Sequence, residues 1–212
     1  ARLIAESFAQ QKGEAWFGDT GACWDRLGEV ARTAGDHSAA LDAFARAVEF
    51  RRLSHDRAHD DARLTRRLAA ALVKHGEAAL TANANSSAKA AFHESILLRF
   101  KLLDAAPNDP AAAQAVAVAL ERFGLAALAS GDKQAARAAW EDELALADRI
   151  FAEAHSLEAM RFRAIVESHL ASAGGPNGEH HRANALDHFD QLAHAGVLTP
   201  QETALRKKLW GA

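Results

Sequence analysis

The chain has 212 residues, 49% of them apolar, which is enough to bury a sizeable core either as one globular body or as an elongated repeat array. Its 25 basic and 28 acidic residues leave a formal net charge of -3, so no overall field draws it to a nucleic acid or an anionic membrane. Abundant alanine, no Tyr, four Pro and few β-branched runs exclude a strand-rich fold and predict an almost wholly helical one.

The opening residues, "ARLIAESFAQQKGEAW", lack the hydrophobic segment and small-residue cleavage site of a signal peptide. The chain begins with Ala, which reads as a piece excised from something longer. No unbroken apolar run approaches the roughly 18 residues that span a bilayer, so the expectation is a soluble chain with no membrane partner. Cys23 is the single cysteine and cannot form an internal disulfide. Beside Trp24 on an apolar helix it is expected to be a small buried filler, and a reducing compartment, the cytoplasm, fits.

In chain order, helices are expected near residues 14–34, 37–55, 60–82, 86–105, 110–130, 132–154, 156–173 and 180–195, with a last one at 200–210. Within "CWDRLGEVARTAGDHSAALDAFARAVEF", residues 23–50, Trp24, Leu27, Gly28, Ala40, Phe44 and Ala47 stand where two helices interlock. The glycine returns at Gly76 and Gly124, each time 48 residues on. With the same step Trp24 becomes Leu72 and Leu120, Phe44 becomes Phe92 and Trp140, Ala40 becomes Ala88 and Ala136, and Gly35 becomes Asn83 and Gly131.

Each column has a physical reason. Glycine inside a helix costs about 1 kcal/mol against alanine, so its recurrence marks a close approach by the partner helix. Gly35, Asn83 and Gly131 are residue types that enter the left-handed conformation closing a helix, and Asp36, Ser86 and Asp132 follow as candidate N-caps. The large ring fills the space between the hairpin's two helices and the next hairpin. Pro107 and Pro110 bracket the clearest break between units. The fourth copy is irregular: Phe189 lies 49 residues after Trp140, and "SAGGPNGEHHRA" replaces the tight turn.

"WDRLGEVARTAGDHSAALDAFARA" resembles the tetratricopeptide repeat, whose Trp, Leu-Gly, small, Ala, Phe and Ala positions are carried by Trp24, Leu27, Gly28, Ala31, Ala40, Phe44 and Ala47. The 48-residue period with extended helices is similar to the long-helix bacterial arrays of that family, and Trp16 sits where such arrays often carry a tryptophan. The match covers nearly the whole chain, with "RLIA" standing as the tail of a preceding unit. It departs in lacking tyrosines, replaced in one column by Ala31, Ala79 and Ala127.

The resemblance implies an all-α, right-handed superhelix of about four hairpins forming one domain over residues 1–212. Its units would be about 13–58, 59–107, 108–155 and 156–197, with a capping helix at 200–210 whose Leu205, Leu209 and Trp210 cover the last hairpin. It further implies a concave groove lined by the first helix of each hairpin. Stepping from the packing columns places Asp25, Glu29 and Arg32 on that face in the first unit and Val73, Glu77 and Leu80 in the second. Glu121, Leu125 and Leu128 follow in the third, and Met160, Ala164 and Glu167 in the fourth. Acidic and apolar residues dominate, which favours a partner segment that is apolar with Lys or Arg interspersed. The ladder of Lys, Arg and Asn with which chaperone-adaptor tetratricopeptide domains clamp a terminal carboxylate is missing. The compact basic patch of Arg63, Arg66 and Arg67 reads as a solvated helix face.

Eleven histidines raise metal chemistry, first at His180, His181 and His188, then at His55 and His59 with Asp56, Asp60 and Asp61 around them. Zinc asks for three or four convergent groups and neither spacing supplies them locally, so no metal or other cofactor is expected. No nucleophile elbow, metalloprotease motif or phosphate loop is present, and Gly174, Gly175 and Gly178 follow no strand. The expectation is therefore a non-catalytic protein-binding module of a larger bacterial signalling or effector protein, binding no nucleic acid. A self-associating scaffold is the alternative, and a metal-dependent enzyme built on His180, His181 and His188 a third.

Overall fold

The computed structural model describes residues 14–151 and 156–211, with side chains from 16 to 149 and from 156 to 211. The described residues form nine helices and no strand: α1 (Glu14–Thr33), α2 (His37–His55), α3 (Ala62–Thr81), α4 (Asn85–Ala105), α5 (Pro110–Ala129), α6 (Lys133–Phe151), α7 (Leu157–Ala173), α8 (Gly178–His194) and α9 (Pro200–Trp210). The expected "RLIA" tail and residues 152–154 lie outside the described residues. The chain divides into two compact units, residues 1–112 and 113–212, the border falling close to the Pro107–Pro110 break.

Both units are all-α stacks of antiparallel hairpins in the solenoid manner: α1 packs on α2, α2 on α3 and α3 on α4 in the first, and in the second α5 and α6 meet around Trp140, α6 packs on α7, α7 on α8 and α8 on α9. In the first unit α1 pairs with α2 and α3 with α4. A Cβ placed on Gly28 would lie 2.6 Å from the Phe44 ring, and one on Gly76 would lie 2.6 Å from the Phe92 ring. Both rings are almost wholly buried. The missing methyl lets an aromatic face sit on the neighbouring helix backbone, which is why an otherwise unfavourable helical glycine stands there. Phe44 and Ala40 also meet Ala78, while Val48 packs with Leu68, Ala71, Leu72 and Ala91, so the first hairpin's second helix closes onto the second hairpin. In the second unit Gly124 of α5 receives the Trp140 ring of α6 in the same way.

The hairpin turns repeat one device. Gly35, Asn83 and Gly131 all have positive φ, at 76°, 58° and 80°. In each case the N–H just past that residue donates back across the last turn of the helix: Asp36 to Ala31, Ala84 to Ala79 and Asp132 to Ala127, at 3.0, 2.8 and 2.9 Å. Asp36 and Asp132 then cap the following helix, accepting from the Ala39 and Ala135 amides. Ser86 does not cap. Helix α4 starts one residue before it, and the cap position is Ala84, which has no side chain to offer.

Several expectations on burial are corrected. Cys23 is exposed, and so is Leu27, at 54%. Both fall on the outer side of α1, away from the Gly21 and Gly28 face that meets α2. Leu209 is buried and Leu205 packs beside it on α7 and α8, yet Trp210 is 63% exposed. The cap α9 is held instead by polar clips: a Thr199 and Glu202 capping box, Arg161 to Glu202 at 2.6 Å and Arg206 to Asp190 at 2.6 Å. Helix α5 is, by length and composition, apolar enough to cross a membrane, although no unbroken apolar run reaches that length. Glu121 and Arg122 interrupt the run without lowering its average enough, and nearly half of the stretch is buried within the protein.

Gly76→Ala is expected to lower stability by about 1–3 kcal/mol through overpacking against Phe92, despite alanine's better helix propensity. Urea unfolding of the variant checks this, and a more stable variant would show that the ring has room to move.

Candidate functional site

The first-helix faces named from sequence fare differently from one hairpin to the next. On α1, Asp25 is mostly buried and ion-paired with Arg51 of α2, so its charge is neutralised inside the hairpin. Glu29 accepts from Arg32 at 2.9 Å and lies 3.1 Å from Lys74 of α3. The bond from Arg32 is the main reason its carboxyl sits below the usual carboxylate range, with Lys74 adding to the effect. On α3, Val73 and Leu80 are half-buried and Glu77 is exposed. They lie at spacings of four and three on one helical face, and the clusters around Leu72 and around Phe44 do not include them.

In the second unit Leu125 and Leu128 pack against the cluster around Trp140, Val166 and Leu170, so they are core margin more than open lining. Glu121 is half-buried and faces an unforeseen group, Glu143 of α6. Glu143 is 2% exposed, and its Oε2 has no hydrogen-bond partner. Burial first, and the Glu121 charge second, push its carboxyl up to about 9, so at neutral pH it holds a proton. Close by in the chain the Trp140 ring stacks on His169 of α7, with centroids 5.0 Å apart and planes 28° apart. Burial pulls His169 down to about 4, so this imidazole stays neutral.

On α7 the expected face is turned inward. Ala164 is fully buried, Met160 packs on the α7–α8 cluster, and Glu167 is buried with its carboxylate held by His181 Nδ1 and by Asn184 Nδ2 at 3.1 Å. The same contacts disperse the expected histidine cluster. His181 is taken by Glu167, and His180 Nε2 meets Asn184 Nδ2 at 3.2 Å. Burial lowers the pKa of His188, and no convergence of the three is seen among the described residues. Arg63, Arg66 and Arg67 are all exposed, as expected of a solvated face.

Glu143 and His169 are not among the residues expected from sequence. A signal for Glu143 existed: 48 residues before it stands Ser95, and 96 before it Ala47, both small and buried, where the expected repeat would align them with this carboxylate. Ser95 uses that position to donate to the Ala69 carbonyl at 2.9 Å.

No family model matches the chain, and no curated protein matches it. Among solved structures it is similar to the crystal structure of MamA protein, at 18% identity over 84% of this chain and 96% of that one, with a TM-score of 0.36.

The protonated Glu143 links stability to pH. Its folded pKa lies above its unfolded value near 4.5, so the folded chain binds the extra proton and stability falls as pH rises from there toward 9. His169 works in the opposite sense and only below about 6.5, where the unfolded chain takes up a proton that the folded one refuses. Between pH 7 and 8.5 the Glu143 effect therefore stands by itself of the two, at about 1 kcal/mol per pH unit. Glu143→Gln should flatten that slope in urea titrations and should be more stable than the parent at pH 8; a parallel slope in the variant would contradict the assignment.

Proposed function

We propose that the chain is a non-catalytic protein-binding module of the tetratricopeptide type. Within a unit, the first helices of its hairpins hold an extended partner segment, apolar with interspersed Lys or Arg. One observation carries this reading: ring-on-glycine contacts hold the first three hairpins through their interiors, and Val73, Glu77 and Leu80 of α3 lie outside the clusters built around Phe44 and around Leu72. A half-buried aliphatic pair with an exposed carboxylate between them offers apolar contact and a cation preference together. Asp25, Glu29 and Glu167 make ion pairs or hydrogen bonds within the protein. In this reading Glu77, exposed on α3, and Glu121, half-buried on α5, contribute to the cation preference. The period-48 array, a bacterial source, a cytoplasmic location and a parent signalling or effector protein belong to the same proposal.

A second reading, self-association, is favoured by α1. Cys23, Leu27 and Val30 lie at spacings of four and three on one exposed face, Leu27 and Val30 being 54% and 67% exposed. That is an apolar stripe of the kind another hairpin covers in a repeat stack.

A peptide array spanning basic-apolar and acidic-apolar segments tests the first reading. Basic-apolar segments should bind, and Glu77→Lys with Glu121→Lys should weaken them at least about tenfold; equal binding of acidic segments would contradict it. Sedimentation across a concentration series tests the second. A monomer at every concentration would exclude self-association, and an oligomer dispersed by Leu27→Glu would support it.

A further inference from the structure

The turn between α2 and α3 gathers three metal-binding side chains that the sequence spacing does not bring together. His55 is the last residue of α2, Asp56 follows as its C-cap, and His59 stands in the turn before Asp61 caps α3. The turn is tight: the Ala58 N–H donates to the His55 carbonyl and the Asp61 N–H to the Ala58 carbonyl, both at 3.0 Å. It therefore folds His59 back over the helix end, with the two imidazole centroids 5.8 Å apart. One ligand atom from each of His55, Asp56 and His59 then lies within 4.8 Å of the other two, the one such convergence among the described residues.

The surroundings leave these groups available. His55 Nδ1 is 3.7 Å from Asp56 Oδ1, beyond hydrogen-bonding reach, and its Nε2 is buried with no hydrogen-bond partner. The neighbouring cations are committed elsewhere: Arg57 lies over the Phe17 ring at 4.4 Å, and Lys101 of α4 donates to the His59 carbonyl at 3.1 Å and lies 3.6 Å from Asp60. By contrast, His180 and His181 have local partners in Asn184 and Glu167, and His194 in the Asp190 carbonyl.

We propose that His55, Asp56 and His59 form a binding site for a divalent first-row transition ion, zinc foremost, with an open fourth position. Two imidazoles and one carboxylate suit zinc, cobalt or nickel, whereas magnesium and calcium prefer all-oxygen shells. Donors around a tetrahedral zinc lie about 3.3 Å apart, so the three must close in, which the exposed Asp56 and His59 can do by rotation. The bound ion would tie the end of α2 to a turn whose His59 carbonyl is already held from α4. It would stabilise the first unit by an amount that grows with the logarithm of the free ion concentration once that exceeds the dissociation constant. This site uses none of the residues assigned to partner binding, so the two proposals stand or fall separately.

Calorimetric titration of the metal-free chain with zinc at pH 7.5, with cobalt absorption as a second probe, tests the site. One ion per chain with a micromolar dissociation constant is expected, together with a rise in thermal midpoint. His59→Ala, at an exposed position, should weaken binding at least about tenfold, while a His180→Ala, His181→Ala variant should bind as the parent does. Circular dichroism confirms that the variants fold, and His59→Gln supplies a bulkier replacement should His59→Ala not. Absence of zinc binding tighter than about 100 μM would overturn the proposal. So would undiminished binding without His59, or a loss that follows His180 and His181.

Discussion

An aromatic ring seated on bare helix backbone is the constraint from which the rest of this protein follows. Phe44 on Gly28, Phe92 on Gly76 and Trp140 on Gly124 bring two helices closer than any side chain at the glycine would permit. Close packing of this kind stabilises only if the ring and the space match, so the position tolerates neither a larger residue opposite nor a smaller ring. The positive-φ turn after each first helix sets the return angle, and the second helix arrives with its ring already over the gap. Local backbone chemistry and interior packing thus specify the same hairpin, which is what a minimally frustrated sequence requires.

That arrangement also sorts the surface. Residues on the ring-bearing faces are consumed by packing, and those a third of a turn away are left over. On α3 the remainder is an aliphatic pair around a carboxylate. Across α1, α2 and α3 the charges are largely balanced by internal pairs, Asp25 with Arg51 and Glu29 with Arg32 and Lys74. Ion pairs of this kind contribute little stability when exposed, and their main effect is to reduce the charge on offer to a partner. In the second unit Glu143, which the expected repeat would align with Ala47 and Ser95, stays in the interior only by keeping its proton.

How much of this was legible in the sequence depends on whether a residue's role is set by its own period. Gly28, Phe44, Gly35 and their copies were readable because a helical glycine is costly unless something large needs its space, and a large ring recurs at the matching interval. Helix ends were readable where turn chemistry fixes them, as at Pro110 and Pro200. Ser86 misled because a good capping residue type outweighed the register, which places the cap two residues earlier at Ala84. Leu27 and Cys23 misled because the repeat pattern treats both sides of α1 as covered. Met160, Ala164 and Glu167 misled because that face of α7 is turned toward α8. His55, Asp56 and His59 were legible as a candidate cluster, but not their convergence, which depends on a turn geometry that no spacing rule contains.

The most direct test is a double-mutant cycle on one seat, combining Gly76→Ala with Phe92→Leu and measuring unfolding free energies for all four proteins. If the glycine exists to admit the ring, the smaller residue at 92 should relieve the alanine's clash, and the two changes should couple by about 1 kcal/mol or more. Additive losses within about 0.5 kcal/mol would mean that ring and glycine do not meet in this way, and the account of how the hairpins are held would be wrong.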